Sequence, residues 1–257
     1  MKQGAAVSRC SQIIYFVCED LYSALLADGF VCLIHCLELL FGSFLHIFAK
    51  GVPLMANEFL WSLAVTLRNQ CYSLRGLDVV AALNITTTLQ NLLSVAYLAL
   101  GNALAIIVGR QLGAGELDEA QTSARHMRAF IVFAATVFAI LFAAGSFLFP
   151  MIYNTTASVR SLSTYMMLVS ALALPICAYS FSIYFTLRSG GKVMQTFLLD
   201  SGFMWIIVIP ICVLLAYFTG MGIHLMFFIC QMTEIIKCIA GYFLLKRGTW
   251  VQRLVGD

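Results

Sequence analysis

Charged side chains are scarce in this sequence. Asp, Glu, Lys and Arg together make up 11% of its 257 residues, whereas 61% of the residues are hydrophobic. The mean hydropathy is correspondingly high, at +0.93. A soluble domain does not keep so much apolar surface in water, so the composition excludes a soluble globular protein and indicates an integral membrane protein.

The sequence also lacks the patterns that catalytic and metal sites need. Its nine cysteines include no Cys-x-x-Cys pair, and those in apolar segments are expected to pack as small hydrophobic side chains. Cys32 and Cys36 lie one helical turn apart, but two thiols on a membrane-embedded face are more often packing residues than zinc ligands. Without a compact His, Ser or metal constellation, we predict no enzyme activity, no metal site and no bound cofactor.

Long hydrophobic runs are what the sequence has instead. Six of them approach the ~20 residues that a helix needs to cross a bilayer. They are residues 52–73, 79–104, 127–149, 162–185, 193–218 and 223–245. The sequence therefore predicts an all-α membrane protein with a bundle of six transmembrane helices over residues 50–257.

Residues 1–49 fit this pattern less well. Four acids, Glu19, Asp20, Asp28 and Glu38, interrupt two shorter apolar runs. The apolar run after Lys2 and Arg9 is too short for a cleaved signal peptide. We expect an irregular hydrophobic segment with one helix, two helices or none.

The positions of the basic residues predict an orientation, because Lys and Arg collect in cytoplasmic loops. Arg75 and Arg160 lie in loops on one side of the six-helix arrangement. The larger set on the other side is Lys50, Arg110, Arg125, Arg128, Arg188, Lys192, Lys246, Arg247 and Arg253. This asymmetry predicts that the start of the first helix and the carboxy terminus both lie in the cytoplasm.

The first predicted helix has one polar side. At 100° per residue, Glu58, Ser62 and Asn69 share a face, and Asn57 and Arg68 lie on the adjoining strip. Water or protein must therefore cover that side of the helix. A carboxylate within a membrane span is costly, which favours a role for Glu58 in exchanging a proton or a cation. The alternative is a structural ion pair.

The next helix carries a second polar row, formed by Asn84, Thr88 and Asn91. These residues recur at intervals of four and three positions, which places them on one side of the helix. We predict that they line a cavity together with the polar face of the first helix. Hydrogen bonding between helices explains the same row equally well.

A charged glycine hinge, Arg188-Ser-Gly-Gly-Lys192, precedes the fifth predicted span, which contains Asp200. A carboxylate inside an apolar run needs a compensating ion or proton. In the last span, Glu234 and Lys237 are three residues apart, and we predict that they form a neutral pair inside the bundle. The glycines of segment 109–116 predict a glycine-broken cytoplasmic turn. A phosphate-binding loop is excluded there, because no Lys-Ser or Lys-Thr follows these glycines.

Six short motifs follow one another along residues 50–257. They are Pro53…Asn57-Glu58-Phe-Leu-Trp61, Ala81-Ala-Leu-Asn84-Ile, Gly109…Gly113-Ala-Gly115-Glu116…Ala120, Leu187-Arg188-x-Gly190-Gly191, Leu199-Asp200…Trp205…Pro210, and Glu234…Lys237 before Trp250. In this order they resemble the carboxy-terminal half, helices seven to twelve, of a multidrug and toxic compound extrusion (MATE) transporter.

The resemblance implies one lobe of a two-lobed, twelve-helix antiporter, in which organic cations leave the cell as Na⁺ or H⁺ enters. It implies cation-coupling roles for Glu58 and Asp200, and positions that face or brace the cavity for Asn57 and Asn84. A bacterial protein of this kind would lie in the inner, plasma membrane.

The sequence departs from the family in lacking an amino-terminal lobe, and Lys192 stands where the family commonly has Asp. The expected partners are therefore the bilayer, small organic cations, and either a second copy of the chain or a missing amino-terminal lobe, with no nucleic acid. The choice between Na⁺ and H⁺ stays open. An inactive truncated fragment is one alternative, and a lipid or glycan flippase of the related superfamily is another. A flippase cavity rich in Arg and Lys is not indicated, because the deep charges are chiefly the acids Glu58 and Asp200, with Arg68 the exception.

Overall fold

The computed structural model describes residues 51–52 and 55–252 of the chain. The predicted irregular segment, residues 1–49, lies outside the described residues. The chain divides into two compact units. The helices discussed below belong to the unit Asn57–Arg253, except for the first two residues of α1.

Every regular element in this described part is a helix, which confirms the all-α prediction. Helix α1 covers residues 55–73. The helices that follow are α2 (Leu77–Ala114), α3 (Leu117–Ile152), α4 (Ala157–Ser189), α5 (Val193–Phe218) and α6 (Ile223–Lys246). These last five are long and apolar enough to cross a membrane, whereas the predicted sixth span, in α1, stays a prediction.

The turn between α2 and α3 is shorter than predicted. Gly109 and Gly113 are helical, and the chain reverses only at Gly115 and Glu116. Gly115 has a φ of 82°, a left-handed conformation that suits a residue without a Cβ, and its N–H donates to the carbonyls at the end of α2. With 38 residues, α2 is about 57 Å long at 1.5 Å per residue, well beyond the ~30 Å hydrocarbon core.

Helix α4 forms the centre of the bundle. It packs against α2, α3 and α6, and 61% of its membrane-length window is buried, compared with 22% for α3. The outer helices instead expose large apolar side chains, among them Ile106, Phe133, Ile140 and Ile206. Such a surface suits lipid rather than water.

The loop between α1 and α2 is hydrogen-bonded to the end of α5 through Arg75. The Arg75 guanidinium donates hydrogen bonds of 2.8 and 2.7 Å to the carbonyls of Leu215 and Thr219, at the end of α5. A basic group there neutralises the negative end of the helix dipole. The contact brings the α1–α2 loop and the α5–α6 connection to the same end, as alternating helix directions require.

Helix α5 is not a regular α-helix. It begins as α-helix at Val193–Phe197, passes through π-helical turns at Leu198–Gly202 and Met204–Val208, and returns to α-helix at Ile209–Phe218. A π-helical turn is rare and is frequently found at functional sites. Asp200 lies in the first of these turns.

Candidate functional site

Asp200 forms an ion pair in the interior of the bundle. One of its carboxylate oxygens, Oδ1, lies 3.0 Å from the Nζ of Lys237 on α6, and the two side chains are 9% and 6% exposed. Burying either charge alone is very costly in an apolar interior, so each side chain needs the other.

Asn57 on α1 binds the second carboxylate oxygen of Asp200. Its Nδ2 donates a hydrogen bond of 3.2 Å to Oδ2. Ser201 completes the connection, because its hydroxyl donates to the Asn57 side-chain oxygen at 2.7 Å and lies 2.8 Å from the Asn57 backbone carbonyl. Both oxygens of Asp200 therefore have partners, and the network joins α1, α5 and α6.

The π-helical turns bring a further contact to α1. Trp205 lies in the second π-helical segment, and its indole N–H donates a 3.1 Å hydrogen bond to the carbonyl of Leu60. Asp200, Ser201 and Trp205 thus all turn toward α1, two of them bonding Asn57 and one bonding Leu60. A π-helical turn is wider than an α-helical turn, which allows side chains five residues apart to share one side.

Lys237 has no ion pair with Glu234, contrary to the prediction from their spacing. Its ammonium group bonds Asp200 across the helix interface and also lies 5.7 Å from the centre of the Phe181 ring on α4. That distance is within the range of a cation–π interaction. Residue spacing along α6 could show the neighbour on the same helix but could not show the acid on α5.

Glu58 has a different environment from Asp200. Its side chain is exposed on the described unit, although Asn57 beside it is buried. Ser62 is also exposed and Asn69 is partly exposed. The polar face predicted for α1 therefore lies on the surface of the bundle, while Asn57 points into the network with Asp200.

The polar row on α2 is exposed as well. Asn84, Thr88 and Asn91 are all accessible, and the Thr88 hydroxyl donates to the carbonyl of Asn84 on its own helix. Within residues 55–252, no hydrogen bond joins the side chain of Asn84 or Asn91 to another helix. The alternative of hydrogen bonding between helices therefore has no support inside this bundle.

The glycine hinge at the start of α5 packs against the segment that follows α6. Gly191 has a φ of 74°, and a Cβ at Gly190 would collide with the backbone carbonyl of Trp250. The side chain of Gln252 donates to the Gly190 carbonyl at 3.0 Å and accepts a 3.0 Å hydrogen bond from Lys192. The hinge is thus a packed junction.

The structure brings Asn57 and Asp200 together but leaves Glu58 and the α2 row outside their network. Lys237 and Ser201 also belong to this network, which the sequence did not predict: it paired Lys237 with Glu234 and gave Ser201 no role. Ser201 follows Asp200 directly, which is the only local signal for it. No group of three or more His, Cys, Asp or Glu side chains suited to a metal ion occurs in the described part of the chain.

The MatE family model matches residues 53–214, well over half of the chain. The matched range includes Glu58, Asn84 and Asp200 and ends before α6. No curated protein and no solved structure matches the chain.

Proposed function

Because this chain belongs to the MatE family of membrane transporters, we propose that it takes part in exporting small organic cations across the plasma membrane in exchange for Na⁺ or H⁺. The observation that carries the proposal is the exposure of polar side chains on both α1 and α2. The exposed residues are Glu58, Ser62, Asn84, Thr88 and Asn91.

Polar side chains on a membrane-spanning surface cannot face hydrocarbon without a large cost in free energy. Water or a second protein surface must therefore cover them. A water-filled space lined by one carboxylate and several neutral polar groups suits a cationic guest, because Glu58 is the charged member of these five side chains and its charge is negative. This supports a cavity on the side of the bundle that carries Glu58.

Aromatic side chains near Glu58 fit the same class of guest. Phe59 is 68% exposed and Trp61 is partly exposed, both within one helical turn of Glu58. The faces of aromatic rings attract organic cations and do not require a fixed substrate shape.

The two acids have different roles in this proposal. Glu58 is the acid that is accessible to an incoming Na⁺ or H⁺. Asp200 can receive a cation only when Lys237 withdraws, because Lys237 and Asn57 already engage both of its carboxylate oxygens. Lys237 is then a tethered cation that competes with the coupling ion for Asp200.

The cavity needs a second wall. We propose that the polar face of α1 and the polar row of α2 pack against another lobe of the same kind. A second copy of this chain or an amino-terminal lobe would supply it. A bundle alone in lipid would leave that polar face without a partner.

Efflux of a fluorescent organic cation, such as ethidium, from membrane vesicles tests the proposal. Efflux should follow an imposed Na⁺ or H⁺ gradient in the native chain and should fall to background in the Glu58→Gln variant, because glutamine has a similar shape but cannot carry the charge. Vesicles with each gradient alone would identify the coupling ion.

Glu119→Gln is the matched control, because it removes an exposed carboxylate in the first turn of α3, away from the polar rows. It should leave efflux unchanged. Equal efflux from the native chain and Glu58→Gln would remove the coupling role of Glu58, and gradient-independent dye loss in all three proteins would contradict cation-coupled export.

A further inference from the structure

Two cysteines on neighbouring helices lie in direct contact. The sulfur of Cys212 on α5 is 3.1 Å from the sulfur of Cys230 on α6. Both side chains are buried, with exposed fractions of 0% and 2%. The separation is only about 1 Å longer than a disulfide bond.

The contact distinguishes this pair from the other described thiols. Cys238 contacts oxygen atoms instead, namely the Ser180 hydroxyl and the Ile176 carbonyl, each at 3.2 Å. Cys177 has no sulfur partner among the described residues. All five described cysteines are free thiols, so the sulfur–sulfur contact alone sets the Cys212–Cys230 pair apart. The sequence predicted that all of these cysteines serve only as small packing residues, but packing does not require two sulfur atoms from different helices to meet.

We propose that Cys212 and Cys230 are a redox site that a small, membrane-soluble hydroperoxide converts into a disulfide between α5 and α6. The pair is enclosed by a hydrophobic cluster that includes Met204 and Met226. A large polar oxidant such as glutathione disulfide cannot enter such a site, whereas a small apolar hydroperoxide can dissolve in it.

The chemistry proceeds in two balanced steps. One thiol loses its proton and attacks the terminal oxygen of the hydroperoxide, which forms a sulfenic acid and releases an alcohol after the alkoxide takes up the proton. The second thiol then attacks the sulfenic sulfur, which forms the disulfide and releases water. Two thiols and one hydroperoxide thus yield one disulfide, one alcohol and one water.

The disulfide would fix the spacing of two helices that are otherwise joined by packing, by the Asp200–Lys237 ion pair and by residues 219–222. Asp200 lies on the same helix as Cys212, and Lys237 on the same helix as Cys230. The bond would therefore hold together the two elements that carry the buried ion pair.

Mass spectrometry of the native chain in lipid nanodiscs tests the proposal without requiring transport. The protein is treated with cumene hydroperoxide, denatured in the presence of a maleimide, and digested. We expect a cross-linked peptide that contains Cys212 and Cys230, lighter by two hydrogen atoms than the two reduced peptides together, and its loss after treatment with a thiol reductant. Cys177 and Cys238 should remain alkylated.

The Cys212→Ser variant is a near-isosteric control. It should give no cross-linked peptide, and its Cys230 should be recovered either alkylated or as the sulfenic acid that has no second thiol to react with. Met226 supplies an internal indicator in the native chain, because it belongs to the same buried cluster and forms a sulfoxide when the oxidant arrives. Oxidised Met226 beside two free thiols would overturn the proposal, and so would an unoxidised site at doses that oxidise exposed methionines, or cross-links formed as readily with Cys71.

Discussion

Asp200 is tolerated in the apolar interior of the bundle because its carboxylate pairs with Lys237. The carboxylate has an ammonium on one oxygen and an amide on the other, and Ser201 fixes that amide in place. Each partner is tolerable in the interior only while the others are present. The pair therefore has to be altered as a unit.

We expect Asp200→Asn and Lys237→Met each to lower the free energy of unfolding by about 3–5 kcal/mol, because each leaves one buried charge without a partner. The double variant should be less destabilised than the sum of the two single variants, since it leaves no unpaired charge. Denaturant unfolding of the four proteins in detergent measures the coupling in a double-mutant cycle.

Glu119→Gln is the control for the loss of a single carboxylate, and at an exposed position it should change stability by less than about 0.5 kcal/mol. Additive effects of the Asp200 and Lys237 substitutions would show that the two charges do not depend on each other.

At the residue scale, the sequence identified Asn57 and Asp200 because polar groups are conspicuous in apolar segments. It assigned the wrong partner to Lys237, since spacing along one helix reveals neighbours on that helix and not across an interface. The sequence also could not predict whether Glu58 is exposed, because helical periodicity defines a face without showing what covers it.

At the scale of elements, α5 and its glycine hinge hold the most information. The predicted span 193–218 coincides with the helix, but its π-helical turns were not predicted, because hydrophobic periodicity cannot distinguish a π-helical turn inside an apolar run. The turn predicted over 109–116 is also shorter than expected. Helix α2 continues through Gly109 and Gly113, and within this segment only Gly115 adopts a positive φ. The presence of a glycine does not by itself show whether the chain turns there.

Gly190→Ala tests whether the hinge is a packed junction. The added methyl group would collide with the backbone of Trp250, which is itself buried. Overpacking costs about 1–3 kcal/mol, and a change of one or two kcal/mol alters an opening equilibrium by a factor of about 5–30. We expect trypsin to cut after Arg247 faster by about that factor.

Gly220→Ala is the matched substitution, because nothing lies within 4 Å of the position where its Cβ would stand. Its rate of cleavage after Arg247 should equal that of the native chain. A Gly190→Ala protein with the native cleavage rate would mean that the segment around Trp250 adapts without cost.

At the scale of the whole molecule, the bundle has two kinds of exposed surface. Large apolar side chains such as Ile140 on α3 suit lipid, whereas the polar rows of α1 and α2 do not. Composition predicted a multi-pass membrane protein, and the family match agrees with it. What covers the polar rows could not be predicted, because that information lies in a surface outside the bundle.

A cysteine in the polar row tests whether a second copy covers it. We expect Thr88→Cys to give a cross-linked species of twice the 28.3 kDa chain mass when native membranes are treated with a short bismaleimide, because the two polar faces would adjoin. The readout is the yield of that species on a denaturing gel.

Ile140→Cys, on the apolar surface, is the control and should give no more of the cross-linked species than the native chain. Equal yields from Thr88→Cys and the native chain at several protein-to-lipid ratios would exclude a second copy as the covering surface.

The length of α2 and α3 has a practical consequence for imaging this protein. Two helices of 38 and 36 residues, joined by only Gly115 and Glu116, form a stiff projection that extends past the ~30 Å hydrocarbon layer. An antibody fragment raised against residues 110–125 would bind a rigid helical hairpin outside the detergent belt. It would give a small particle a recognisable outline in electron micrographs, and in intact cells its binding would reveal which side of the membrane the hairpin occupies.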